Sequence, residues 1–460
     1  MKKLTMLFSA LMVLFASCIK VEIDNSSTGG DLGGGSEQDQ IIRTRIITGT
    51  LESSVSLPKG KYTLRGYVYV TAGATLTFAP GTVVVSDSVL KGALIIERGA
   101  KLFAEGTQAE PIVFTSGRPP ATRQPGDWGG IVLLGSAPTN RRTPPVIEGG
   151  IARTYGGNVA NDNSGALRYV RIEFAGIAAD PASEINSLTC GGVGSGTILE
   201  NIQTSYGNDD AFEFFGGTVN AKNLVALATA DDDFDFDFGY VGKIQFGVCL
   251  RDPSFVDPGD AANGIECDND GDGSQATPYT RPDLSNFTLV GPGTEPGQNG
   301  RHNFGQRWRR STRFSFRNSI LMNWRLAGFS LESDSTGQFY KDGRSLFQNN
   351  LVHAHANPYF IPTTSGNPAV NVNIITAAQM RTQAESQGCI TYNSIAEIGL
   401  TAPTNLTAPN FLPTAGSPAL SGANFTGMDP FFTVTSYRGA FGTTNWMTGW
   451  TSFTPKSNTY

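Results

Sequence analysis

Asp209-Asp210-Ala211-Phe212-Glu213-Phe214-Phe215 is followed, at an offset of 22 residues, by Asp231-Asp232-Asp233-Phe234-Asp235-Phe236-Asp237. The stretch just upstream repeats at the same offset, Gly196-Thr197 through Asn201-Ile202 matching Thr218-Val219 through Asn223-Leu224. Two separate patterns sharing one offset identify a structural repeat. Looser copies of an Asn-plus-aliphatic strand recur at Tyr169-Val170-Arg171-Ile172, Asn286-Phe287-Thr288-Leu289, Asn318-Ser319-Ile320-Leu321 and Asn349-Asn350-Leu351-Val352. Nearer the N-terminus, Gly73-Ala74-Thr75-Leu76 and Gly99-Ala100-Lys101-Leu102 repeat a Gly-Ala-x-Leu step.

Short strands separated by Gly or Asn turns, with a period near 22, describe a coil of a parallel β-helix. Each coil pairs its strands with the coils above and below and buries its inward side chains in one column. Asn recurring at one place suits a left-handed turn and a stacked ladder. Wider spacings elsewhere point to loop insertions in some coils. Composition agrees: Gly at 55 of 460 residues and charged residues at only 16% favour turn-rich β structure over helical bundles. The expected fold is all-β, a right-handed parallel β-helix with loop insertions over residues 41–460. Ala377 to Gln387 reads as a peripheral helical insertion, and the aromatic C-terminus as a cap on the last coil, since a solenoid end must hide its strand edges.

The N-terminus is of another kind. Lys2 and Lys3 precede an apolar run from Leu4 to Phe15, which closes on Ala16-Ser17-Cys18. A positive start, a short apolar run and small residues make a cleavable signal over residues 1–17, too short to span a bilayer. A cysteine directly after the small residues resembles the lipobox of bacterial lipoproteins, which implies acylation of Cys18 and attachment to the lipid bilayer. Residues 18–40 are rich in Gly, Ser and Asp and read as a flexible tether. A net charge of −6 argues against nucleic acid as a partner. The remaining cysteines, Cys190, Cys249, Cys267 and Cys389, leave pairing open.

The chain after the tether resembles a family of Bacteroidota surface lipoproteins with a pectin-lyase-like right-handed β-helix. The segments that carry the resemblance are Leu94-Ile95-Ile96-Glu97-Arg98-Gly99-Ala100-Lys101, Gly126-Asp127-Trp128-Gly129-Gly130, Arg171-Ile172-Glu173-Phe174-Ala175-Gly176, Phe215-Gly216-Gly217-Thr218 and Arg438-Gly439-Ala440-Phe441 with Trp446 and Trp450. The resemblance implies an outer-membrane, cell-surface location. It says much more about architecture than about activity.

The alternation in Asp233-Phe234-Asp235-Phe236-Asp237-Phe238 sends Phe inward and acid outward. The offset places Glu213 beside Asp235, and Gly264-Ile265-Glu266-Cys267-Asp268 and Gly328-Phe329-Ser330-Leu331-Glu332-Ser333-Asp334 contain the same apolar-acid-x-acid step. Two outward ladders follow, one of Glu213, Asp235, Glu266 and Glu332, the other of Asp237, Asp268 and Asp334. Charges stacked about 4.8 Å apart repel by roughly 3 kcal/mol at an effective dielectric near 20. Bound cations, basic partners or raised pKa values can resolve this. Calcium suits such a set, because it takes several oxygens in flexible geometry. Asp268-Asn269-Asp270-Gly271-Asp272-Gly273 adds alternating oxygen ligands, although it has Tyr279 where an EF-hand loop has Glu. The basic alternative is Arg307-Trp308-Arg309-Arg310 with Arg313, Arg317 and Arg325.

For catalysis, Asn208-Asp209-Asp210 followed one coil later by Asp231-Asp232-Asp233 is suggestive of polygalacturonase-type carboxylate pairs. The later motifs of those enzymes, Gly-His-Gly and Arg-Ile-Lys, are absent. A calcium-dependent polysaccharide lyase would need a base, for which Arg309 or Arg325 are candidates. The third possibility is binding: Trp128, Trp308, Trp324 and Tyr340 fall in segments that read as loops or edges, where aromatic rings with Arg309 beside them could stack on sugars. The reading favoured by the sequence is a surface lipoprotein that binds an extracellular polymer of the glycan class, with a calcium-dependent polysaccharide lyase or a structural accessory of an outer-membrane transporter or adhesin as alternatives.

Overall fold

The computed structural model describes residues 35–180, 183–257, 262–294, 301–362 and 372–460. The signal peptide, Cys18 and most of the tether lie outside the described residues. Twenty-seven strands of the described chain join into one continuous sheet, and the strand pairs within it are parallel. The sheet wraps into a β-helix with three strand columns.

In the repeat, Ile198–Glu200 lies in the first column, Ile202–Ser205 in the second and Phe212–Phe215 in the third. The next coil repeats this with Asn220–Lys222, Leu224–Leu227 and Phe234–Asp237. Ile198 pairs with Asn220, Ile202 with Leu224, and Phe212 with Phe234, so the 22-residue offset is the coil itself. Inside the column, Phe212 stacks on Phe234 at 5.3 Å and Phe214 on Phe236 at 5.4 Å.

The corner between the first two columns turns on one left-handed residue per coil. Asn201, Asn223, Asn286, Asn318 and Asn349 have φ between +53° and +60°, and Tyr169 and Phe246 occupy the equivalent place at +49° and +66°. Asn tolerates this region better than other residues with a Cβ, because its short amide bonds locally. The stacked-turn expectation therefore holds, and non-Asn residues take the same turn where the surroundings impose it.

Three features differ from the sequence reading. Glu37–Thr44 is a helix that buries Ile41, so residues 37–40 belong to the folded body and not to a tether. Ala377–Ser386 is helical as expected, but Met380 and Ala384 are fully buried members of the main core. The helix thus extends the core past the last coil and is not peripheral. The aromatic C-terminus does not cap that coil. Phe441, Met447 and Trp450 instead cover the outward side of the second column, against Val225, Val248, Val290 and Met322. Cys190, Cys249, Cys267 and Cys389 are buried and free. Among the described residues, no helix is long and apolar enough to cross a membrane.

Candidate functional site

One outward row of the third column changes character along the molecule. Ile95, Val132, Thr189, Glu213, Asp235, Glu266, Arg307 and Ser330 stand in consecutive register. Ile95 and Val132 are apolar and are covered by the 139–157 loop through Ile147, Ile151 and Tyr155. Beyond that cover the row turns acidic, and then basic.

The basic end resolves half of the charge problem. Arg307 binds Glu332 at 2.8 Å and Glu266 at 3.3 Å. Arg309 holds Asp268 at 2.7 Å and also pairs with Glu266, while Arg310 reaches Asp268 at 2.6 Å. Burial opposes its charge, yet the Glu266 and Asp268 carboxylates hold the Arg309 guanidinium protonated well above the usual arginine value. Arg309 is thereby clamped as a guanidinium cation between two carboxylates. Burial likewise opposes ionisation of Glu332, but Arg307 and then Arg309 hold it below the ordinary carboxylate range. The first ladder consequently runs Glu213, Asp235, Glu266, and is then continued by Arg307. Glu332 belongs to the other row, two residues along, because Trp308 pairs with Leu331.

Asp237 and Asp268 share the second row, since Phe236 pairs with Cys267 next to them. Asp334 leaves it: it opens the helix Asp334–Lys341 and accepts the backbone N–H groups of Asn373 at 2.7 Å and Ile374 at 3.2 Å. The Asp270 carboxylate accepts from the backbone of Asp272 and Ser274, and Asp272 is exposed. Asp270 thus closes an Asx turn, its second oxygen taking the Ser274 hydroxyl, and among the described residues the close carboxylate groups do not include Asp270, Asp272 or Asp334.

The preceding coils carry a second set of acids. At the corner before the third column, Asn186, Asp210, Asp232 and Asn263 follow one another through a side-chain ladder. Asn186 Oδ1 accepts Asp210 N–H at 3.2 Å, Asp210 Oδ1 accepts Asp232 N–H at 2.8 Å, and Asp232 Oδ1 accepts Asn263 N–H at 2.5 Å. Asp210 also lies at the junction of two carboxylate triads. Asp209, Asp210 and Asp231 form one, and Asp210, Glu213 and Asp235 the other; within each, one oxygen per residue lies within 4.8 Å of the others. Glu148 enters from the 139–157 loop, with Asn186 Nδ2 donating to it at 3.0 Å and also to Glu213.

The electrostatics follow from this crowding. Burial, then the neighbouring Asp209 and Asp232 charges, pushes Asp210 well above the ordinary carboxylate range. Burial, then Glu148 and Asp210, does the same to Glu213, and burial, then Glu266 and Asp232, to Asp235. Asp237 is raised by burial and by Asp268. Among the described residues, no lysine or arginine forms an ion pair with Asp210, Glu213 or Asp235. The oxygen-only chemistry of the set and its uncompensated charge fit a hard divalent cation.

The aromatic candidates fall elsewhere. Trp128, Trp308 and Trp324 are at most 1% exposed, and Tyr340 is fully buried. Trp128 Nε1 donates to Glu173 O at 2.8 Å, Trp308 Nε1 to Gln306 Oε1 at 3.1 Å, and Trp324 Nε1 to Leu289 O at 3.3 Å. They are inward core residues with satisfied indole N–H groups, so the expectation that they stack on a ligand is corrected. Sequence reading treated Asp209, Asp210, Asp231 and Asp232 only as glycosidase-like pairs and did not reach Glu148. The signal for the four aspartates was present in the shared 22-residue offset. Glu148 sits in an irregular loop, where no periodicity marks it.

No curated protein and no solved structure matches the chain. A family model does, that of the pectate-lyase-like β-helix domain, over residues 49–398. With more than half of its length matched and three parallel strand columns built around one core, the chain belongs to the pectate-lyase-like β-helix family.

Proposed function

We propose that this chain is a lipid-anchored surface protein, of the Bacteroidota lipoprotein type, that captures an extracellular polysaccharide on its acidic face through a bound hard cation. Calcium is the cation the oxygen chemistry favours. Asp209, Asp210, Glu213, Asp231 and Asp235 would hold it, and coordination positions left open would take carboxylate or hydroxyl oxygens of the polymer. Membership of a pectate-lyase-like family supports a polysaccharide-related role. The anchor would be the acylated Cys18, and an outer-membrane transporter is the partner class such a capture protein would serve.

The observation that carries the reading is the contrast between adjacent coils. Glu266, Asp268 and Glu332 meet Arg307, Arg309 and Arg310, whereas among the described residues no lysine or arginine forms an ion pair with Asp210, Glu213 or Asp235. Evolving one more arginine is a simple structural remedy, and the coil just beyond uses it. An acid set left open to cations is what a binding role requires. The test is a glycan array probed with the full chain, with calcium and with chelator. Binding to acidic polysaccharides that vanishes with chelator and in Asp210→Asn supports the reading. A blank array under both conditions would leave the accessory or scaffold role as the better account.

A second reading has one observation in its favour: burial and neighbouring acids push Asp210 and Asp235 above the ordinary carboxylate range, which favours the protonated form a general acid needs. Polysaccharide cleavage at the same cluster would release new chain ends from uronate or neutral polymers when calcium is supplied. Lyase chemistry through Arg309 is disfavoured by its clamp between Glu266 and Asp268.

A further inference from the structure

After the last coil the chain turns back and runs along the outside of the second column. The outward row of that column is Arg171, Gln203, Val225, Val248, Thr288, Ile320 and Leu351, in consecutive register. The returning segment reaches progressively earlier coils, with one loop back to Asn286 and Thr288 through Tyr437, Gly439 and Ala440. Asn424 lies on Asn318, Thr433 on Gln245, Ser452 on Gln203, and Tyr460 on Arg171 and Glu173.

The contacts at three of these places have the same form. Gln203 Nε2 donates to Ser452 O at 2.8 Å while Oε1 accepts Ser452 N–H at 2.8 Å. Gln245 grips Thr433 in the same way, at 2.8 and 2.7 Å. Asn318 grips Asn424 at 3.2 and 2.8 Å. Each side-chain amide thus copies one peptide unit of a β-ladder and pairs with the backbone of the segment, whatever side chain stands there. Ala440 N–H donates to Thr288 Oγ1 at 2.9 Å between them. Beyond Ser452, Tyr460 Oη donates to the buried Glu173 carboxylate, whose other partners are Thr115 Oγ1 and Arg171, and Lys61 Nζ reaches Tyr460 O at 3.2 Å.

In a solenoid each repeat touches only its neighbours, so coils can open one after another from an end. A segment attached to the last coil and docked as far back as Lys61 and Gln108 removes that freedom. We propose that residues 424–460 are a clasp, gripped through its backbone by Gln203, Gln245 and Asn318, that couples the N-terminal coils to the C-terminal ones as one cooperative unit. The N-terminal coils then acquire their full protection only when the clasp has docked. This inference does not depend on the acidic face.

The test uses the full chain with Gln203→Glu and Gln245→Glu, together and singly. Glutamate has nearly the same shape and keeps the acceptor, but puts a second oxygen against the carbonyl in place of the donor. The expected result is cleavage within 424–460 by added protease about tenfold faster or more, with faster amide exchange in Lys61–Val70 and Ile112–Thr115, neither of which is mutated. An unchanged cleavage rate would show that the amides do not hold the segment and would overturn the proposal. Release of the segment with N-terminal exchange unchanged would also overturn it, by making the segment a passive cover. The single variants keep the test decisive if the double variant does not fold.

Discussion

Trp324 occupies a space that three glycines leave for it. A Cβ on Gly264, Gly291 or Gly305 would meet its indole at 2.8, 2.8 and 2.9 Å. These glycines lie far from Trp324 in sequence, so nothing beside it announces the contact. The polar neighbours of Trp308 and Trp324 suggest an edge, whereas the direction of each indole depends on the coil's path. Trp324→Ala is expected to destabilise the chain by about 3–5 kcal/mol, measured by denaturant unfolding, and to leave calcium and glycan binding unchanged. Loss of binding with stability intact would return Trp324 to the list of ligand contacts. Arg251 and Asp233 make a second residue-scale case, an ion pair at 2.8 Å with both side chains fully buried. Burial pushes Asp233 up, to about 6, although Arg251 opposes the shift. Arg251→Ala leaves that acid without its partner and should cost about 3–5 kcal/mol. Asp233→Leu combined with Arg251→Met should recover most of it, and equal damage from single and double variants would contradict the assignment.

At the scale of strands and turns, the repeat was readable because the column imposes it twice, on the inward Phe and on the turn Asn. Glu213 beside Asp235 follows from the 22-residue spacing, and Asp235 beside Glu266 from the repeated apolar-acid-x-acid step. Glu332 was misplaced because the apolar-acid-x-acid step fits a strand in two registers two residues apart, and a coil whose strand carries Arg307 in place of an acid lies between Glu266 and Glu332. The turn column gives its own prediction. Asn223, at φ +60°, should tolerate Gly with little loss, while Asn223→Val should cost about 1–2 kcal/mol in the same unfolding assay; equal effects would mean that the left-handed turn is not what selects Asn. The acidic strands give a pH dependence. Asp210, Glu213, Asp235 and Asp237 have folded values raised above the unfolded ones. The folded state therefore binds more protons, so the stability these groups contribute is fully present below the ordinary carboxylate range and is lost as pH rises through the raised values. In chelator, the melting midpoint should climb as pH is lowered from neutral into the weakly acidic range. It should fall again only when acids such as Glu332, held low by Arg307, take up protons. A midpoint that drops steadily from neutral pH downward would contradict this.

For the whole molecule, one periodic signal was enough to read a β-helix, since every coil restates it. The two ends were less legible. Helix Glu37–Thr44 is short and polar, and Ile41 alone ties it to the core. The C-terminal segment has almost no regular structure, and its position depends on amides from distant coils that no local pattern reveals. The acidic face lies between the apolar cover of the 139–157 loop and the arginines of the next coils, and among the described residues Asp210, Glu213 and Asp235 have no basic ion-pair partner there. Its occupation by a cation is the central claim, and a thermal melt of the full chain at neutral pH tests it most directly. With millimolar calcium against chelator, the account predicts a midpoint higher by several degrees, corresponding to roughly 2–4 kcal/mol of linkage at saturating ion. Asp210→Asn should lose most of that response while remaining folded. A midpoint indifferent to calcium and chelator in the unmodified chain would contradict the claim.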